Sequence, residues 1–358
     1  MAGKVYLERI ATATFDSDVH DAFVGYAHGM LQQERSRTLF LRMAERSGIA
    51  ARYSPLFVDG THGPSDVDAY GLYRAGSFPA TARRMELYKQ FAPVLMRRAL
   101  DRLALSAEER QRIRHVIVTS CTGFYAPGLD FDAVDYLGLD ASVERTMIGF
   151  MGCYAAMNAL KQARHIVRSE PDDSVLVINL EICTLHLQES QDLGEVLSFL
   201  VFGDGCAASL VSGRESGIEL ESFRAIRLEN TADLITWDIG DQGFDMVLSG
   251  QVPTAVGQAL QAHREDFVRG GTVRLWAVHP GGRSVLDAVE EALALPADAL
   301  KASREVLRQF GNMSSATVMF VLESMLQTAG AGERGCAMAF GPGLTAETMQ
   351  FVTASKAV

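Results

Sequence analysis

Cys153 lies between two segments that differ in pattern. Residues 148–151 before it are apolar, and apolar side chains recur at helical spacing from there to about residue 169. At the first turn of a helix, unpaired backbone N–H groups and the helix dipole favour a thiolate. The position therefore predicts a nucleophile whose thiol ionises more readily than a free one. A small buried core cysteine is the alternative.

Two other polar residues occupy comparable places. His279 follows the strand predicted over residues 272–278, and the carboxyl ends of strands in open α/β sheets place functional groups. Asn312 opens a second apolar-periodic helix, and its spacing to the next strand is nearly that of Cys153. We therefore expect two repeats whose helix termini converge on one site. Chance similarity between two βα units is the alternative.

A cysteine, a histidine and an asparagine together suit acyl transfer. The imidazole of His279 can hold the thiol of Cys153 as a thiolate and then donate from Nε2. The amide of Asn312 can donate a second hydrogen bond to a carbonyl oxygen that gains negative charge. The Pro-Gly-Gly turn at residues 280–282 lets backbone approach this site closely.

Composition restricts the class of protein. The 358 residues, 48% of them hydrophobic and 22% charged, indicate a folded globular protein with two domains or one duplicated domain. The net charge of −11 argues against binding to nucleic acid. Five cysteines without a CxxC pair favour neither a disulfide framework nor a metal site. No apolar run is long enough to cross a bilayer, so we expect a cytoplasmic protein.

Strands and helices alternate along the chain, which predicts an α/β fold. The patterns indicate helical structure over 86–112 and after Cys153, and strands over 115–120, 174–180, 206–211, 272–278 and 334–340. The polar stretch 212–217 is the best boundary. We therefore expect two similar halves, 1–213 and 214–358, related by a pseudo-twofold axis.

Five separated motifs give the most specific signal. They are residues 152–156, 202–205, 279–282, 311–315 and 340–345. In this order they resemble the type III polyketide synthases, the chalcone-synthase-like members of the thiolase superfamily. The resemblance covers nearly the whole chain and implies a duplicated, five-layered αβαβα fold. Ala339 stands where the family usually has a glycine.

The resemblance implies a role for each motif. Cys153 takes an acyl starter from CoA, while His279 and Asn312 polarise malonyl-CoA and stabilise the enolate formed on decarboxylation. It implies no metal and no redox cofactor, only CoA thioesters as substrates. Phe202 matches a gatekeeper between the CoA tunnel and the cavity, with ordinary core packing as the alternative.

The resemblance also concerns the substrate entrance and the partner subunit. Arg42 and Arg46 align with residues that contact CoA phosphates, and a solvated helix face is the alternative. Leu39 occupies a further position that is basic in the family. The family generally forms homodimers, and Ala126 aligns with a residue that reaches the neighbouring cavity.

Side chains around the nucleophile predict the product. Cavity positions implied by the family are Cys121, Thr122, Ala126, Cys183, His186, Trp237, Met246, Ser314, Phe340, Gly341, Pro342 and Gly343. Met246 rather than Phe244 aligns with the cavity-facing phenylalanine, although a small slip in register reverses this. Cys183 stands where plant members have a threonine, and a cysteine there resembles the bacterial enzymes that bind long acyl chains.

We therefore expect a fatty acyl-CoA starter, several malonyl-CoA extensions and an alkylresorcinol or alkylpyrone product. A ketoacyl synthase III with a single condensation and a type III synthase with a small or aromatic starter are the main alternatives. The proline at 342 argues against the former. A hydroxymethylglutaryl-CoA synthase is less favoured, because it needs a well-placed carboxylate as general acid/base and acetyl-CoA as carbon donor. A non-catalytic scaffold is less favoured because all three members of the triad are present.

Overall fold

A computed structural model describes residues 3–56, 68–267 and 272–354. The strands are β1 (Tyr6–Ala13), β2 (Ile113–Ser120), β3 (Glu144–Gly149), β4 (Ser174–Ile182), β5 (Asp204–Ser212), β6 (Ile218–Arg227), β7 (Ile235–Gly240), β8 (Gly243–Leu248), β9 (Leu275–Val278), β10 (Arg334–Gly341) and β11 (Thr345–Thr353). The helices are α1 (His20–Met30), α2 (Glu34–Arg46), α3 (Thr81–Leu103), α4 (Ala107–Arg112), α5 (Leu129–Leu137), α6 (Ala155–Ser169), α7 (Leu193–Leu200), α8 (Val252–Ala262), α9 (Arg264–Phe267), α10 (Arg283–Leu293), α11 (Lys301–Phe310) and α12 (Thr317–Leu326). None of the helices in these ranges has the length and apolar character that crossing a bilayer demands.

One large sheet contains two copies of the same strand order. Outward from its middle, the first half runs β1, β5, β4, β2, β3 and the second runs β6, β11, β10, β9. In each half the first two pairings are antiparallel, and the pairs β4–β2 and β10–β9 are parallel. Strands β1 and β6 join the halves through two residue pairs. The repeated order supports the proposed duplication, whose division at residues 213 and 214 stays a prediction.

Alternating side chains on the central strands divide the molecule into layers. On β4, Val175 packs with the central helices α6 and α12, whereas Leu176 packs with α3 on the outer face. On β10, Ala337 packs with the same central helices, whereas Met338 packs with α8 and α10. The two halves of the sheet therefore lie on either side of the central helices, with further helices on each outer face. The resulting order is helix, sheet, helix, sheet, helix, so the predicted αβαβα layering is confirmed.

Two predicted elements differ most from the structure. The helical pattern over 86–112 is two helices, because Ala104 has a φ of 51° and Ser106 begins α4 with a capping box. The Ser106 side chain accepts from the backbone of Glu109, whose carboxylate accepts from the Ser106 backbone. The strand predicted from residue 272 begins at Leu275.

Candidate active site

A cavity of about 630 Å³ brings the predicted triad together. Cys153, His279 and Asn312 all contribute to its wall. The other predicted residues that line it are Cys121, Thr122, Cys183, Phe202, Trp237, Met246, Ser314, Phe340, Gly341 and Pro342. Aliphatic side chains of α7, β7, β8 and α8, which sequence reasoning missed, form much of the remaining wall.

The turn that carries Cys153 packs directly against the loop after β10. Gly152 starts a 3₁₀ turn with a φ of 74°, and a Cβ there would lie 2.1 Å from Cδ of Pro342. A Cβ on Gly341 would lie 2.8 Å from the Tyr154 ring. Because neither position has room for a side chain, the two motifs fit together only as glycines. This contact fixes where the Cys153 backbone lies.

The ionisation expected for Cys153 is not what the structure shows. Burial raises the pKa of this thiol to about 12, although the Ser314 and Asn312 side chains act to lower it. The thiol lies 3.7 Å from the Ser314 hydroxyl. The helix-terminus argument is therefore wrong in its net direction, because desolvation of the charged form outweighs the local dipoles.

Three thiols line the same cavity, and their surroundings separate them. Cys121 and Cys183 are buried, and burial raises the pKa of each thiol far above its usual value. The sulfur of Cys121 also accepts a hydrogen bond from the Gly152 backbone at 3.0 Å. Cys153 is only partly buried, so it is the thiol that a substrate entering the cavity can reach.

His279 lies at the end of β9, as predicted. Its backbone N–H donates to the Met338 carbonyl at 2.7 Å, which extends the pairing of β9 with β10. The side chain is buried, and neither ring nitrogen has a hydrogen-bond partner among the described residues. Burial lowers the pKa of this imidazole to about 3. The resting ring is therefore neutral, with one nitrogen able to accept a proton.

Asn312 has its amide orientation fixed by the start of the second central helix. Its Oδ1 accepts from the Ser314 backbone at 2.9 Å and from the Thr317 hydroxyl at 3.4 Å. Its Nδ2 donates to the Gly281 carbonyl at 3.3 Å, beside His279. Because Oδ1 is occupied by the helix start, Nδ2 is the atom available to a substrate oxygen.

A buried carboxylate supports the floor of the cavity. Glu181 accepts from the Cys121 backbone at 2.9 Å and from the Thr122 hydroxyl at 2.8 Å. Its other oxygen accepts from the Ser315 hydroxyl at 2.5 Å. Burial raises the pKa of this carboxyl to about 7, although these hydrogen bonds act to lower it. Sequence reasoning missed Glu181, which ends a long apolar run.

The predicted position of His186 is wrong, whereas Met246 lines the cavity. The His186 ring is fully buried and stacks on Phe244 at 4.3 Å between centroids. Its Nε2 pairs with the Thr122 carbonyl, and its Nδ1 accepts from the Phe244 backbone. The ring therefore supports Phe244 and Trp237 from behind. The indole N–H of Trp237 donates to the Cys121 carbonyl at 2.7 Å, which holds the exposed face of that ring in the wall.

Phe202 lines the cavity at a junction of both halves. It forms a parallel bridge with Asn312, whose N–H donates to the Val201 carbonyl at 2.7 Å. The buried guanidinium of Arg52 donates to the Phe202 carbonyl at 2.9 Å. The backbone of this phenylalanine is therefore held on two sides while its ring faces the cavity.

The remaining predicted residues do not line the cavity. Arg42 and Arg46 are exposed on α2, next to Met43, which lies at the cavity mouth. Ala126 is exposed on the loop after β2, and Gly343 lies in the turn after β10 outside the wall. Thus the expected place of Gly343 in the cavity wall is wrong, whereas the role expected for Ala126 concerns the neighbouring subunit's cavity and stays a prediction. Among the described residues, no group of three or more His, Cys, Asp or Glu could hold a metal ion.

Family models match both halves of the chain. The model "Chalcone and stilbene synthases, N-terminal domain" matches residues 19–215, and the corresponding C-terminal domain model matches residues 219–354. The chain belongs to the chalcone and stilbene synthase family. The alpha-pyrone synthesis polyketide synthase-like Pks18 of Mycobacterium tuberculosis is 35% identical over 76% of this chain and 74% of the relative. Bisdemethoxycurcumin synthase of Oryza sativa is 31% identical over 87% of this chain and 82% of the relative.

Solved structures agree with this assignment. The 1,3,6,8-tetrahydroxynaphthalene synthase of Streptomyces coelicolor, a bacterial type III polyketide synthase, is 26% identical and covers 99% of this chain and 100% of its own, with a TM-score of 0.84. The type III domain of Steely1 from Dictyostelium has a TM-score of 0.89 at 21% identity, covering 98% of this chain and 99% of its own, which shows the fold. The predicted thiolase-like fold is confirmed, and the protein is a type III polyketide synthase, a decarboxylating condensing transferase.

Proposed function

We propose that Cys153, His279 and Asn312 are the catalytic residues of this synthase. The observation that carries the proposal is their convergence on one mainly apolar cavity, with Cys153 only partly buried. Because most of the wall is apolar, hydrogen bonds to a developing negative charge are strong there. CoA thioesters are the substrates, and the chemistry needs no further cofactor.

Loading transfers an acyl group from CoA to Cys153. The neutral His279 takes the thiol proton, the sulfur attacks the thioester carbon, and the CoA thiolate leaves and takes that proton. Burial disfavours either charge alone, but the attraction between thiolate and imidazolium offsets part of that cost. The Cys153 thiol and the His279 ring therefore ionise together rather than separately.

Condensation then uses malonyl-CoA. Loss of CO₂ leaves an enolate whose oxygen accepts hydrogen bonds from His279 Nε2 and Asn312 Nδ2. The enolate carbon attacks the acyl carbon on Cys153, and the thiolate is released for the next cycle. Loss of one such donor costs roughly 10² to 10³ in rate.

Mass spectrometry of the intact protein tests the nucleophile. Incubation with an acyl-CoA adds one acyl group to the wild type and none to Cys153→Ala. Cys183→Ala is the matched control, because its thiol lines the same cavity and is not the proposed nucleophile. An adduct that persists in Cys153→Ala, or that disappears in Cys183→Ala alone, would refute the assignment.

The starter is proposed to be a fatty acyl-CoA. Aliphatic and aromatic residues form most of the wall, and the volume lies within the roughly 300–1,000 Å³ of small-molecule sites. The relative Pks18 is named for alpha-pyrone synthesis, which supports an alkylpyrone, with an alkylresorcinol as the other cyclisation product. Several malonyl-CoA extensions precede ring closure.

Product analysis with malonyl-CoA and starters of graded length tests this choice. We expect turnover of long acyl chains, and Met246→Trp shifts the preference to shorter ones by filling the cavity. Val247→Trp is the matched control. Val247 is next to Met246 on the same strand, but its side chain is 51% exposed and does not line the cavity. Turnover of short or aromatic starters only would refute the proposal. So would a single condensation that requires malonyl bound to an acyl carrier protein.

We also propose that the protein is a cytoplasmic homodimer. Exposed Ala126 lies on the loop expected to reach the partner cavity, and Phe131 and Met147 nearby are exposed as well. Light scattering at micromolar concentration should give twice the mass of the chain. A monomer under these conditions would contradict the proposal.

A further inference from the structure

Arg84 on α3 is a charged side chain that is fully buried. It takes part in none of the ion pairs among the described residues. Its Nη2 is buried and has no hydrogen-bond partner among them either. A buried charge is costly, and a well-packed apolar group of similar volume often gives equal or greater stability. Stability alone therefore does not account for an arginine at this position.

The bonded nitrogens of Arg84 hold a 3₁₀ turn at residues 183–186, which we call the 183–186 turn. Nη1 donates to the Leu185 carbonyl at 2.6 Å and to the Leu187 carbonyl at 2.9 Å. Nε donates to a carbonyl of the segment that leads into α3. Because Leu185 and Leu187 flank His186 in the chain, Arg84 fixes the backbone on both sides of that buried ring.

The same guanidinium contacts the hairpin formed by β7 and β8. A Cβ on Gly243, at the start of β8, would lie 2.9 Å from Cζ and Nε of Arg84, so the hairpin backbone lies directly against the guanidinium. Thr81, three residues earlier on α3, accepts from the Gly243 N–H at 2.8 Å and donates to the Gly240 carbonyl. Two side chains of α3 therefore hold the closed end of the β7–β8 hairpin.

The two elements that Arg84 joins both form part of the cavity wall. The hairpin supplies Trp237 and Met246, and the 183–186 turn supplies Cys183. Phe244 of the hairpin connects them, because its ring stacks on the turn and meets the Trp237 ring edge-on, with 5.8 Å between centroids. A change at Arg84 therefore moves side chains that face the cavity, although Arg84 itself does not line it.

We propose that Arg84 is a positioning residue for starter selection, because its guanidinium sets the distance between the β7–β8 hairpin and the 183–186 turn. This inference rests on the proposed fatty acyl starter. The planar guanidinium has donors in fixed directions, whereas a lysine ammonium is a flexible point charge. Lysine at this position keeps the charge but cannot hold both elements at once. A long starter contacts more of the wall than a short one, so it loses more when the wall shifts.

Arg164 on α6 offers a matched control. It is also buried, and its guanidinium lies over the Phe223 ring at 6.0 Å, as that of Arg84 lies over the Tyr73 ring at 5.8 Å. Arg164 donates to two backbone carbonyls of β6, a fully described strand of which no residue lines the cavity. Lysine at either position removes comparable contacts, but only Arg84→Lys affects the cavity wall.

Two measurements on wild type, Arg84→Lys and Arg164→Lys test the proposal. The first is the ratio of kcat/KM for lauroyl-CoA to kcat/KM for hexanoyl-CoA, which does not depend on the fraction of active protein. We expect Arg84→Lys to lower this ratio at least about fourfold, the effect of losing contact with one methylene group. Arg164→Lys should stay within twofold of wild type.

The second measurement is acrylamide quenching of tryptophan fluorescence. Trp276 is buried in β9, whereas Trp237 is half-buried in the hairpin, so a change in quenching reports mainly on Trp237. We expect stronger quenching in Arg84→Lys and no change in Arg164→Lys. This readout needs no substrate.

Thr81→Val keeps the proposal testable if Arg84→Lys does not fold. Valine has nearly the shape of threonine and removes both side-chain hydrogen bonds to the end of the hairpin. Both readouts should therefore change in the same direction as in Arg84→Lys. Wild-type values in Thr81→Val would contradict the proposed link between the hairpin end and the wall.

The remaining outcomes also decide the proposal. An unchanged or raised ratio in Arg84→Lys, a change in one readout without the other, or equal changes in Arg164→Lys would overturn it and leave Arg84 a general structural role. Failure of the wild type to turn over lauroyl-CoA would instead refute the proposed starter, and starter selection by Arg84 with it. Quenching would then show separately whether Arg84 holds the hairpin.

Discussion

The buried Glu181 carboxyl gives the protein a pH-dependent stability that one substitution removes. Burial raises its pKa from the usual value near 4.5 to about 7, so the folded state binds this proton more tightly than the unfolded state. The stabilising contribution is complete below pH 4.5 and is lost as the pH rises through about 7. These two values give a loss on the order of 1 kcal/mol in the free energy of unfolding between pH 6 and pH 8.

Urea unfolding of wild type and Glu181→Gln at pH 6 and pH 8 measures this contribution. Glutamine keeps the shape of the side chain and does not titrate. Asp204 is also buried with its pKa raised to about 7, but it is present in both proteins and cancels in the comparison. We expect the wild type to lose on the order of 1 kcal/mol more than the variant over this interval.

The design separates the pH effect from lost hydrogen bonds. The glutamine side chain cannot accept all the hydrogen bonds that Cys121, Thr122 and Ser315 donate to Glu181. The free energy of unfolding of Glu181→Gln is therefore lower than that of the wild type at both pH values. Only the difference in slope with pH reports the titration. Protein concentration is kept constant, because dimerisation makes stability depend on it. Parallel curves for the two proteins would refute the raised pKa of Glu181.

Substitutions at His279, Gly152 and Ser106 should each change one measurable property of the protein. His279→Gln should slow alkylation of Cys153 by iodoacetamide at pH 7 roughly 10²-fold, because the buried thiol then lacks its proton acceptor; an unchanged rate would separate the two residues. Gly152→Ala should lower the free energy of unfolding by about 1–3 kcal/mol, since its positive φ and the Pro342 contact both disfavour a side chain; urea midpoints measure this, and Gly250→Ala, which meets no atom within 4 Å, is the control. Ser106→Ala should cost about 1 kcal/mol by removing the capping box of α4, with acylation of Cys153 unchanged.

The three residues proposed as catalytic could be expected in one site because each is tied to a local pattern. A strand end, a glycine-flanked turn and the start of an apolar-periodic helix are all visible within a few residues. The break before α4 also has a local signal, because Ser106 and Glu109 have the spacing of a capping box. The apolar periodicity that continues over 86–112 outweighs this signal and predicts unbroken helical structure.

Other features depend on contacts far apart in the chain. Whether Cys153 is easily ionised depends on how much protein covers it, and that is decided by the loop around Pro342. Glu181 follows an apolar strand, and nothing local shows that Cys121, Thr122 and Ser315 donate to it. His186 and Trp237 are both large rings near the cavity, and only the packing of Phe244 decides which one lines it.

The duplicated core and its insertions contribute different residues to the cavity. Cys153 and Asn312 lie just before equivalent helices of the two repeats, and His279 follows a strand of the shared order, so the residues proposed as catalytic all lie in the repeated part. Along the chain, the α1–α2 segment lies between β1 and β2, and the β7–β8 hairpin lies between β6 and β9. Both are therefore outside the shared strand order. The first borders the entrance and the second supplies Trp237 and Met246 to the wall. The entrance and the cavity wall can therefore change through these insertions while the helix starts and the strand end that carry Cys153, Asn312 and His279 keep their geometry.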